Sequence, residues 1–383
     1  MLALVLMAVV QVWQPCAPIP TPGWGMACAA VDGRIYCIGG KFRGPDSIVP
    51  RLAVEAYDVG ADSWITGFAP LPSPHCYPGC AVLDGKIYVV AGSDGHNDTR
   101  RVHRFDPVTS QWDTVAALPW PRNALAACTF DGSIYAAGGL TGDLQWCSYK
   151  RTVFRFSPGD DSGPGSWTVI DSLNTPRSSF GLVAVGGQLN AVGGTYYSNL
   201  KSFEFYNPNE WRNDSRMMRA SRGGLAVVGS GDYLCAIGGF GQHGMLSSVE
   251  ILDLTGGEWT ATEGLSEPRA YLSAAVVNDR VFVIGGMDEQ QQAISAVEAD
   301  SVLPAGIEET RPGTLELPRF ATVVRGRARI DCGQGAEVRI YNDAGSMVLE
   351  GAGTVEAELA PGVYFIRAQS EGRVRTGRLA VVR

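Results

Sequence analysis

The 383-residue chain has few histidines and no cluster of basic residues. It contains only four histidines, and no cysteine and histidine spacing resembles a zinc site. The net charge is −8 and no basic tract stands out, which argues against a nucleic-acid partner. No Ser-His-Asp order, P-loop or HExxH motif occurs. The sequence therefore predicts no metal, no cofactor and no familiar catalytic motif.

Long hydrophobic runs are also missing. The only candidate, Leu2 to Val10, is far shorter than the ~20 apolar residues that a membrane-spanning helix needs. It fits the apolar part of a secretory signal better, so we expect no membrane span and an export signal in residues 1–11. Because such a signal is short, we also expect the true start codon to lie upstream, with basic residues ahead of Leu2.

The nine cysteines are odd in number and spread along the chain. Several lie in apolar strand-like text, which favours small buried hydrophobic residues over a disulfide framework. Cys76 and Cys80 lie in "HCYPGC" and could pair if that segment turns back on itself. The sequence leaves their disulfide state open.

What the chain does contain is a repeat. An apolar strand ending in small residues and a glycine occurs six times, as RIYCIGG, KIYVVAG, SIYAAGG, QLNAVGG, YLCAIGG and RVFVIGG. Their last glycines are 45 to 55 residues apart. Turn-forming pairs such as Asp32-Gly33 come before each phrase, which is typical of a tight hairpin between two strands. The glycine pair is expected where the second strand of that hairpin ends.

Two further positions keep their spacing in the repeat. Seventeen residues before the six glycines lie the opening residues Gly23, His75, Arg122, Arg177, Arg222 and Arg269. Five copies continue through a third strand to a tryptophan, namely Trp64, Trp112, Trp167, Trp211 and Trp259. Each copy therefore predicts a four-stranded antiparallel sheet.

This pattern resembles the kelch repeat, and a period near fifty residues is typical of it. The resemblance implies an all-β fold, a six-bladed β-propeller over residues 12–303, with the tryptophan packed between blades. The sixth copy lacks its tryptophan. Trp13 precedes Gly23 by 10 residues, and 10 or 11 residues separate the other tryptophans from the next opening. We therefore expect residues 12–22 to supply the missing strand and to close the ring.

Beyond the repeat, residues 304–318 read as a linker and residues 319–383 as a small C-terminal β-sandwich. The segments "VRIYNDAG", "LAPGVYFIR" and the basic residue before a terminal "VV" resemble the C-terminal sorting domain of the bacterial type nine secretion system. That resemblance implies passage through the export machinery and a secreted or outer-surface location. The alternative is a generic accessory sandwich, since the Asn-Pro pair that usually opens the family is missing.

Candidate binding residues lie in the loops after the glycine phrases and at the blade openings. The aromatic candidates are Trp146, Tyr196, Tyr197 and Phe240. The opening residues Arg122, Arg177, Arg222 and Arg269, with His75, have two interpretations. They form a basic ring that holds a carboxylate or sulfate, or they bind carbonyls and carboxylates of their own blades, such as Glu55, Glu204, Glu250 and Glu298.

Three functions compete at this point. The first is an exported, monomeric, non-catalytic protein that binds a glycan or a protein at one face of the propeller. The second is an enzyme resembling the six-bladed kelch sialic acid mutarotases, which act on N-acetylneuraminate in the channel; the third is a structural scaffold. A copper-radical oxidase is disfavoured because His96 and His243 fall in opposite blades.

Overall fold

The computed structural model describes residues 13–142, 147–159, 164–207, 210–300 and, beyond 322, seven strands given below. The chain divides into two units, Met1–Gly306 and Ile307–Arg383. The described residues form strands, turns and loops, with no α-helix among them. No helix in this part of the chain could therefore cross a membrane. The predicted export signal and the predicted linker lie outside the described residues.

The first unit contains six four-stranded antiparallel sheets, as the repeat predicts. Blade 1 consists of Ala27–Val31, Arg34–Ile38, Val54–Asp58 and Ser63–Ile65. Blade 2 consists of Gly79–Leu83, Lys86–Ser93, Asp98–Asp106 and Gln111–Thr114. Blade 3 consists of Ala126–Phe130, Ser133–Ala137, Thr152–Ser157 and Ser166–Ser172.

The other three blades repeat this order. Blade 4 consists of Gly181–Val185, Gln188–Val192, Phe203–Asn207 and Glu210–Asn213. Blade 5 consists of Ala226–Ser230, Tyr233–Ile237, Val249–Asp253 and Thr260–Thr262. Blade 6 consists of Ser273–Val277, Arg280–Ile284, Val297–Asp300 and, from the start of the chain, Gln14–Cys16.

The fourth strand of blade 6 confirms the predicted closure of the ring. Gln14 lies opposite Ala299 and Cys16 opposite Val297, in antiparallel register. Trp13 directly precedes this strand and is 4% exposed. Its indole N–H donates to the Glu263 carbonyl of blade 5, 3.1 Å away. The N-terminal segment therefore covers the edge that blade 6 would otherwise expose.

The hydrophobic core lies between blades. Six apolar clusters of the described residues each join two neighbouring sheets; Tyr88 of blade 2, for example, packs on Phe156 of blade 3 with ring centroids 5.7 Å apart. The tryptophans contribute to these contacts as predicted. Besides Trp13, three donate their indole N–H to a carbonyl of the preceding blade: Trp64 to Ala17, Trp112 to Ala69 and Trp167 to Ala116.

In five of the six blades the glycine pair directly follows the second strand, and the reason is steric. Gly139 has φ +83° and a Cβ there would lie 2.8 Å from the Asn123 carbonyl oxygen. A side chain at this position would disfavour the backbone conformation and would also clash with that carbonyl oxygen. The Gly139 N–H instead donates to the Arg177 carbonyl of the next blade at 2.9 Å. The glycine thus permits a hydrogen bond between blades.

Three of the loops after these glycines carry short extra hairpins. They pair Lys41–Arg43 with Ile48–Pro50, Leu140–Thr141 with Ser148–Tyr149, and Thr195–Tyr196 with Ser198–Asn199.

The C-terminal unit has a five-stranded sheet and a two-stranded sheet among its described residues. The larger sheet contains Val323–Arg325, Glu337–Asn342, Met347–Ala352, Gly362–Ser370 and Arg373–Val382. The smaller pairs Arg327–Asp331 with Thr354–Glu358. The sandwich and the sorting-domain resemblance stay predictions.

Candidate binding site on the loop face

The loops after the glycine phrases and the connections between blades reach the same face of the propeller, here called the loop face. The residue after each glycine pairs with a residue that precedes the first strand of the same blade. The six pairs are Trp24 with Lys41, Cys76 with Ser93, Asn123 with Leu140, Ser178 with Thr195, Gly223 with Phe240 and Ala270 with Met287. The loops and the blade openings therefore lie together on this face.

A closed ring of backbone hydrogen bonds surrounds the centre of this face. It is formed by Gly25, Tyr77, Ala124, Ser179, Gly224 and Tyr271, each two residues after a blade opening. Every N–H in the ring donates to the carbonyl of the preceding member, and Gly25 donates to Tyr271, over 2.7 to 3.1 Å. All six residues have positive φ angles, which are uncommon for residues other than glycine.

Two tyrosines of the ring fill its centre. The rings of Tyr77 and Tyr271 are 4.8 Å apart at an angle of 54°. A Cβ on Gly25 would lie 2.3 Å from the Tyr77 ring, and one on Gly224 would lie 3.1 Å from the Tyr271 ring. Glycine at those two positions therefore makes the space that the tyrosines occupy.

Above the tyrosines lies a cavity of about 900 Å³, here called the central depression. Its aromatic lining comprises Trp24, Tyr77, Tyr149, Phe240 and Tyr271, and its polar lining includes Lys41, Asp98, Ser178, Ser179 and Thr195. Below the ring, a smaller cavity of about 90 Å³ is lined mainly by apolar side chains. A concave surface with aromatic walls and a few polar groups is typical of a binding site.

The charged and phenolic groups of the central depression are partly desolvated. The Lys41 ammonium lies 4.6 Å from the centroid of the Tyr77 ring, a cation–π contact. Burial lowers the pKa of Lys41 and raises the pKa of Tyr271 to about 12. The Tyr77 hydroxyl accepts a hydrogen bond from the Trp24 indole at 3.1 Å. These phenols remain protonated at neutral pH.

The predicted aromatic residues fall into three groups. Phe240 lines the central depression and its ring lies 5.5 Å from that of Tyr271. Tyr196 and Tyr197 cluster beside it around Tyr149, with ring centroids 5.7 and 5.4 Å from that residue. Trp146 lies outside the described residues. Sequence reasoning missed Tyr77 and Tyr271, because the repeat shows no shared residue type at their position.

The opening arginines of blades 4, 5 and 6 do not line the depression. Arg177, Arg222 and Arg269 are fully buried and form ion pairs with third-strand glutamates of their own blades, Glu204, Glu250 and Glu298. They also donate to backbone carbonyls, as Arg177 does to Gly193 at 2.8 Å. The glutamates in turn accept from backbone N–H groups of the connection between blades, as Glu204 does from Thr175 at 2.9 Å. The geometry favours the second interpretation of these residues, bonding within the blade.

Blade 1 makes the same ion pair by another route. Its opening residue is Gly23, and a Cβ there would lie 3.2 Å from the side chain of Arg51. Arg51, at the end of the loop after the glycines, pairs with Glu55 and donates to the Gly39 carbonyl at 3.2 Å. The arginine is thus supplied from a different chain position. In the sequence, the only indication of this pair is that Arg51 lies four residues before Glu55.

Blade 2 replaces both members of the pair by histidine. His75 occupies the opening position and His103 the glutamate position, with ring centroids 5.1 Å apart. His75 is 0% exposed and its Nδ1 lies 2.5 Å from the Ala91 carbonyl oxygen. Burial lowers the pKa of His75 to about 4. A neutral, buried His75 is not available to an anion at the surface.

Blade 3 has an arginine at its opening position but no glutamate on its third strand. Phe154 stands at that position, and the Arg122 guanidinium lies 5.5 Å from the Phe154 ring centroid and 5.9 Å from that of Trp120. Arg122 lines a cavity of about 910 Å³ together with Trp120, Asp98, His96 and Lys150, among others. We call this cavity the blade 2–3 groove. Burial raises the pKa of Asp98 in this groove.

The cysteines match the prediction only in part, because five of the eight described ones are half-buried rather than buried. Cys37, Cys76 and Cys235 are buried, and all eight cysteines in the described residues are free thiols. Cys76 and Cys80 therefore form no disulfide. Within the described part of the chain, no group of three or more acidic, histidine or cysteine side chains could hold a metal ion.

Comparison with known proteins agrees with the repeat pattern. The model of the Kelch motif matches residues 74–119, 121–162 and 268–299. Beta-scruin from Limulus polyphemus is 28% identical over 59% of this chain and 26% of its own length. Kelch-like protein terF from Aspergillus terreus is 26% identical over 68% of this chain and 60% of its own length. The chain thus spans less than two thirds of these relatives.

Among solved structures, that of YjhT superposes with a TM-score of 0.59 at 17% sequence identity. The superposition covers 74% of this chain and 95% of the YjhT chain. This likeness concerns the fold. Together, these findings show a six-bladed β-propeller that carries Kelch motifs.

Proposed function

We propose that this protein is a non-catalytic binding protein that holds a protein partner in the central depression of its loop face. The observation that carries the proposal is the aromatic lining above the closed ring, with Tyr149, Phe240 and Tyr271 around one cavity. Aromatic side chains supply large contact area at a low cost in conformational entropy. The fully buried arginines of blades 4 to 6 are meanwhile engaged within their own blades.

The test is binding of the full chain to peptide and glycan arrays. The double variant Tyr149→Ala with Phe240→Ala removes two walls of the central depression. Val108→Ala is the matched control, because Val108 is 87% exposed in the hairpin of blade 2 that faces away from the loops. We expect peptide binding that the control retains and the double variant loses.

Two results would overturn this proposal. Peptide binding that is unchanged in the double variant would place the partner elsewhere. Binding to glycans alone would replace the protein partner by a carbohydrate, the other ligand class that an aromatic depression suits.

We further propose that the protein is exported to the cell surface. The proposal rests on the apolar segment Leu2 to Val10 and on the C-terminal resemblance to a sorting domain. In a bacterium that has type nine secretion, the full chain should reach the outer surface, whereas a chain ending at residue 318 should not. Equal surface exposure of both chains would contradict a sorting role.

An enzyme that acts on a carboxylated sugar, resembling the sialic acid mutarotases, is the second candidate. One observation favours it. Asp98, whose pKa burial raises, lies on both the central depression and the blade 2–3 groove, and a desolvated carboxyl group suits proton transfer. The test is anomer exchange of N-acetylneuraminate by NMR. Exchange that is accelerated by the protein and lost in Asp98→Ala would support catalysis over simple binding.

A further inference from the structure

The blade 2–3 groove differs from the other blade openings in its charge. Arg122 is 4% exposed, and none of the ion pairs among the described residues includes it. Its one side-chain hydrogen bond among the described residues runs from Nη1 to the carbonyl of the adjacent Pro121, at 2.8 Å. A buried cation without a carboxylate is costly. An anion from outside the chain would offset that cost.

A second cation lies in the same groove. Lys150 occupies in blade 3 the chain position that Arg51 occupies in blade 1, since each donates its N–H to the carbonyl of the second glycine at 2.8 Å. Arg51 reaches a glutamate of its blade, whereas blade 3 offers none. The Lys150 ammonium instead donates to the Ser148 hydroxyl, 2.8 Å away. Among its described lining residues, the groove thus has two cations, Arg122 and Lys150, and one carboxyl group, Asp98.

The aromatic surroundings of Arg122 suit a carboxylate attached to an apolar or flat group. Trp120 is 51% exposed and lies beside the guanidinium, which provides a ring face next to a charge. A guanidinium binds a carboxylate through two parallel hydrogen bonds. Burial lowers the pKa of Arg122, and the nearby Asp98 carboxylate partly opposes that shift.

We infer that the blade 2–3 groove binds a carboxylate of the protein partner, with Arg122 as the principal cation and Trp120 as the adjacent aromatic face. This inference rests on the proposed function. The groove shares His96, Asp98 and Gly142 with the central depression, so an extended peptide in the depression reaches the groove without leaving the surface. An acidic side chain or a C-terminus supplies the carboxylate.

The experiment uses small probes, so that it does not depend on identifying the partner. Hippurate has a peptide-like amide, an aromatic ring and a carboxylate, and hippuramide has a neutral carboxamide of similar shape in place of the carboxylate. Binding of both to the full chain is measured by NMR titration. We expect hippurate to bind at least tenfold more tightly than hippuramide.

Two variants remove the cation in different ways. Arg122→Gln deletes it, and Phe154→Glu supplies the missing glutamate, so that Arg122 becomes paired as Arg222 is with Glu250. Each should weaken hippurate binding at least tenfold. Arg212→Gln is the matched control, because Arg212 is an exposed arginine of blade 4 that pairs with Glu210, and it should bind as the wild type does. If Phe154→Glu fails to fold, Arg122→Gln carries the test.

Three results would overturn the inference. Equal binding of hippurate and hippuramide would show that the aromatic ring, not the carboxylate, is recognised. Unchanged hippurate binding in Arg122→Gln would place the anion elsewhere. Binding of glucuronate in place of hippurate would assign the groove to an acidic sugar. Hippurate binding that the Tyr149 and Phe240 double variant retains, while it loses peptide binding, would support the inference, because neither residue lines the groove.

Discussion

Blades 3 and 5 start from the same opening residue and use it differently. In blade 5, Arg222 is bound by Glu250 at 2.5 Å and by the Gly238 and Ser248 carbonyls. In blade 3, Arg122 faces Phe154 and a groove. An arginine at the opening position therefore does not have the same role in every blade. The residue on the third strand of the same blade decides whether the arginine serves the fold or is available to a ligand.

The other blades fit this comparison. Blades 4 and 6 keep the buried arginine and glutamate, and blade 1 restores the pair with Arg51 in place of Gly23. Blade 2 substitutes two histidines. The departures from the ion pair thus occur in neighbouring blades, 2 and 3, and the groove lies between them.

The largest expected effect comes from breaking a complete pair. Glu250→Gln leaves Arg222 buried without a carboxylate, which should lower the free energy of unfolding by about 3–5 kcal/mol. Arg122→Gln removes a cation that forms no ion pair among the described residues and should cost less than about 1 kcal/mol. Urea denaturation of both variants measures the contrast. Equal losses would show that the two arginines have the same environment.

The second largest effect is expected in blade 2, where acid should lower the stability through His75. Burial holds the pKa of His75 at about 4 in the folded protein, below its unfolded value of about 6.5. The folded state therefore loses stability as the pH falls from about 6.5 toward 4, by up to about 3 kcal/mol. Urea denaturation at pH 7 and pH 5 measures this loss.

A double variant makes blade 2 resemble blade 4. His75→Arg with His103→Glu replaces the two histidines by an arginine and a glutamate at the equivalent positions, which should remove the loss of stability that protonation of His75 causes. His243→Gln, in an exposed loop of blade 5, is the control and should leave the loss unchanged. An undiminished loss in the double variant would mean that other groups titrate in this range.

The smallest effect concerns Asp98. Its carboxylate lies in the blade 2–3 groove and competes with a ligand for Arg122. Asp98→Asn should therefore tighten hippurate binding about fivefold, which corresponds to about 1 kcal/mol for one nearby charge in a partly hydrated site. Weaker binding, seen in the same NMR titration, would show instead that Asp98 holds the ligand.

The fold was predictable because it repeats. Six copies with constant spacing predict six blades, and the distance from Trp13 to Gly23 predicts the closing strand. The central depression was not predictable in the same way, because Tyr77 and Tyr271 occupy a position where other blades have glycine, alanine or serine. Their exposure to the centre depends on the backbone ring, which involves six distant segments.

The roles of the arginines were only partly predictable. The sequence allowed both a basic ring and bonding within blades, since both require arginine at the opening. The discriminating signal lay about thirty residues further along the chain, where blade 3 has Phe154 and blade 2 has His103 in place of glutamate. The spacing of the repeat did not reveal Arg51, because this residue lies in the loop after the glycines and not at the blade opening.

The most direct test of the comparison is a double-mutant cycle on stability that combines Arg122→Gln with Phe154→Glu. If the third-strand residue decides the role of the arginine, Arg122→Gln should cost little in the wild type and much more in the Phe154→Glu background, with a coupling energy of about 1–3 kcal/mol. A coupling near zero would show that Arg122 cannot take the position that Arg222 occupies, and would contradict the account.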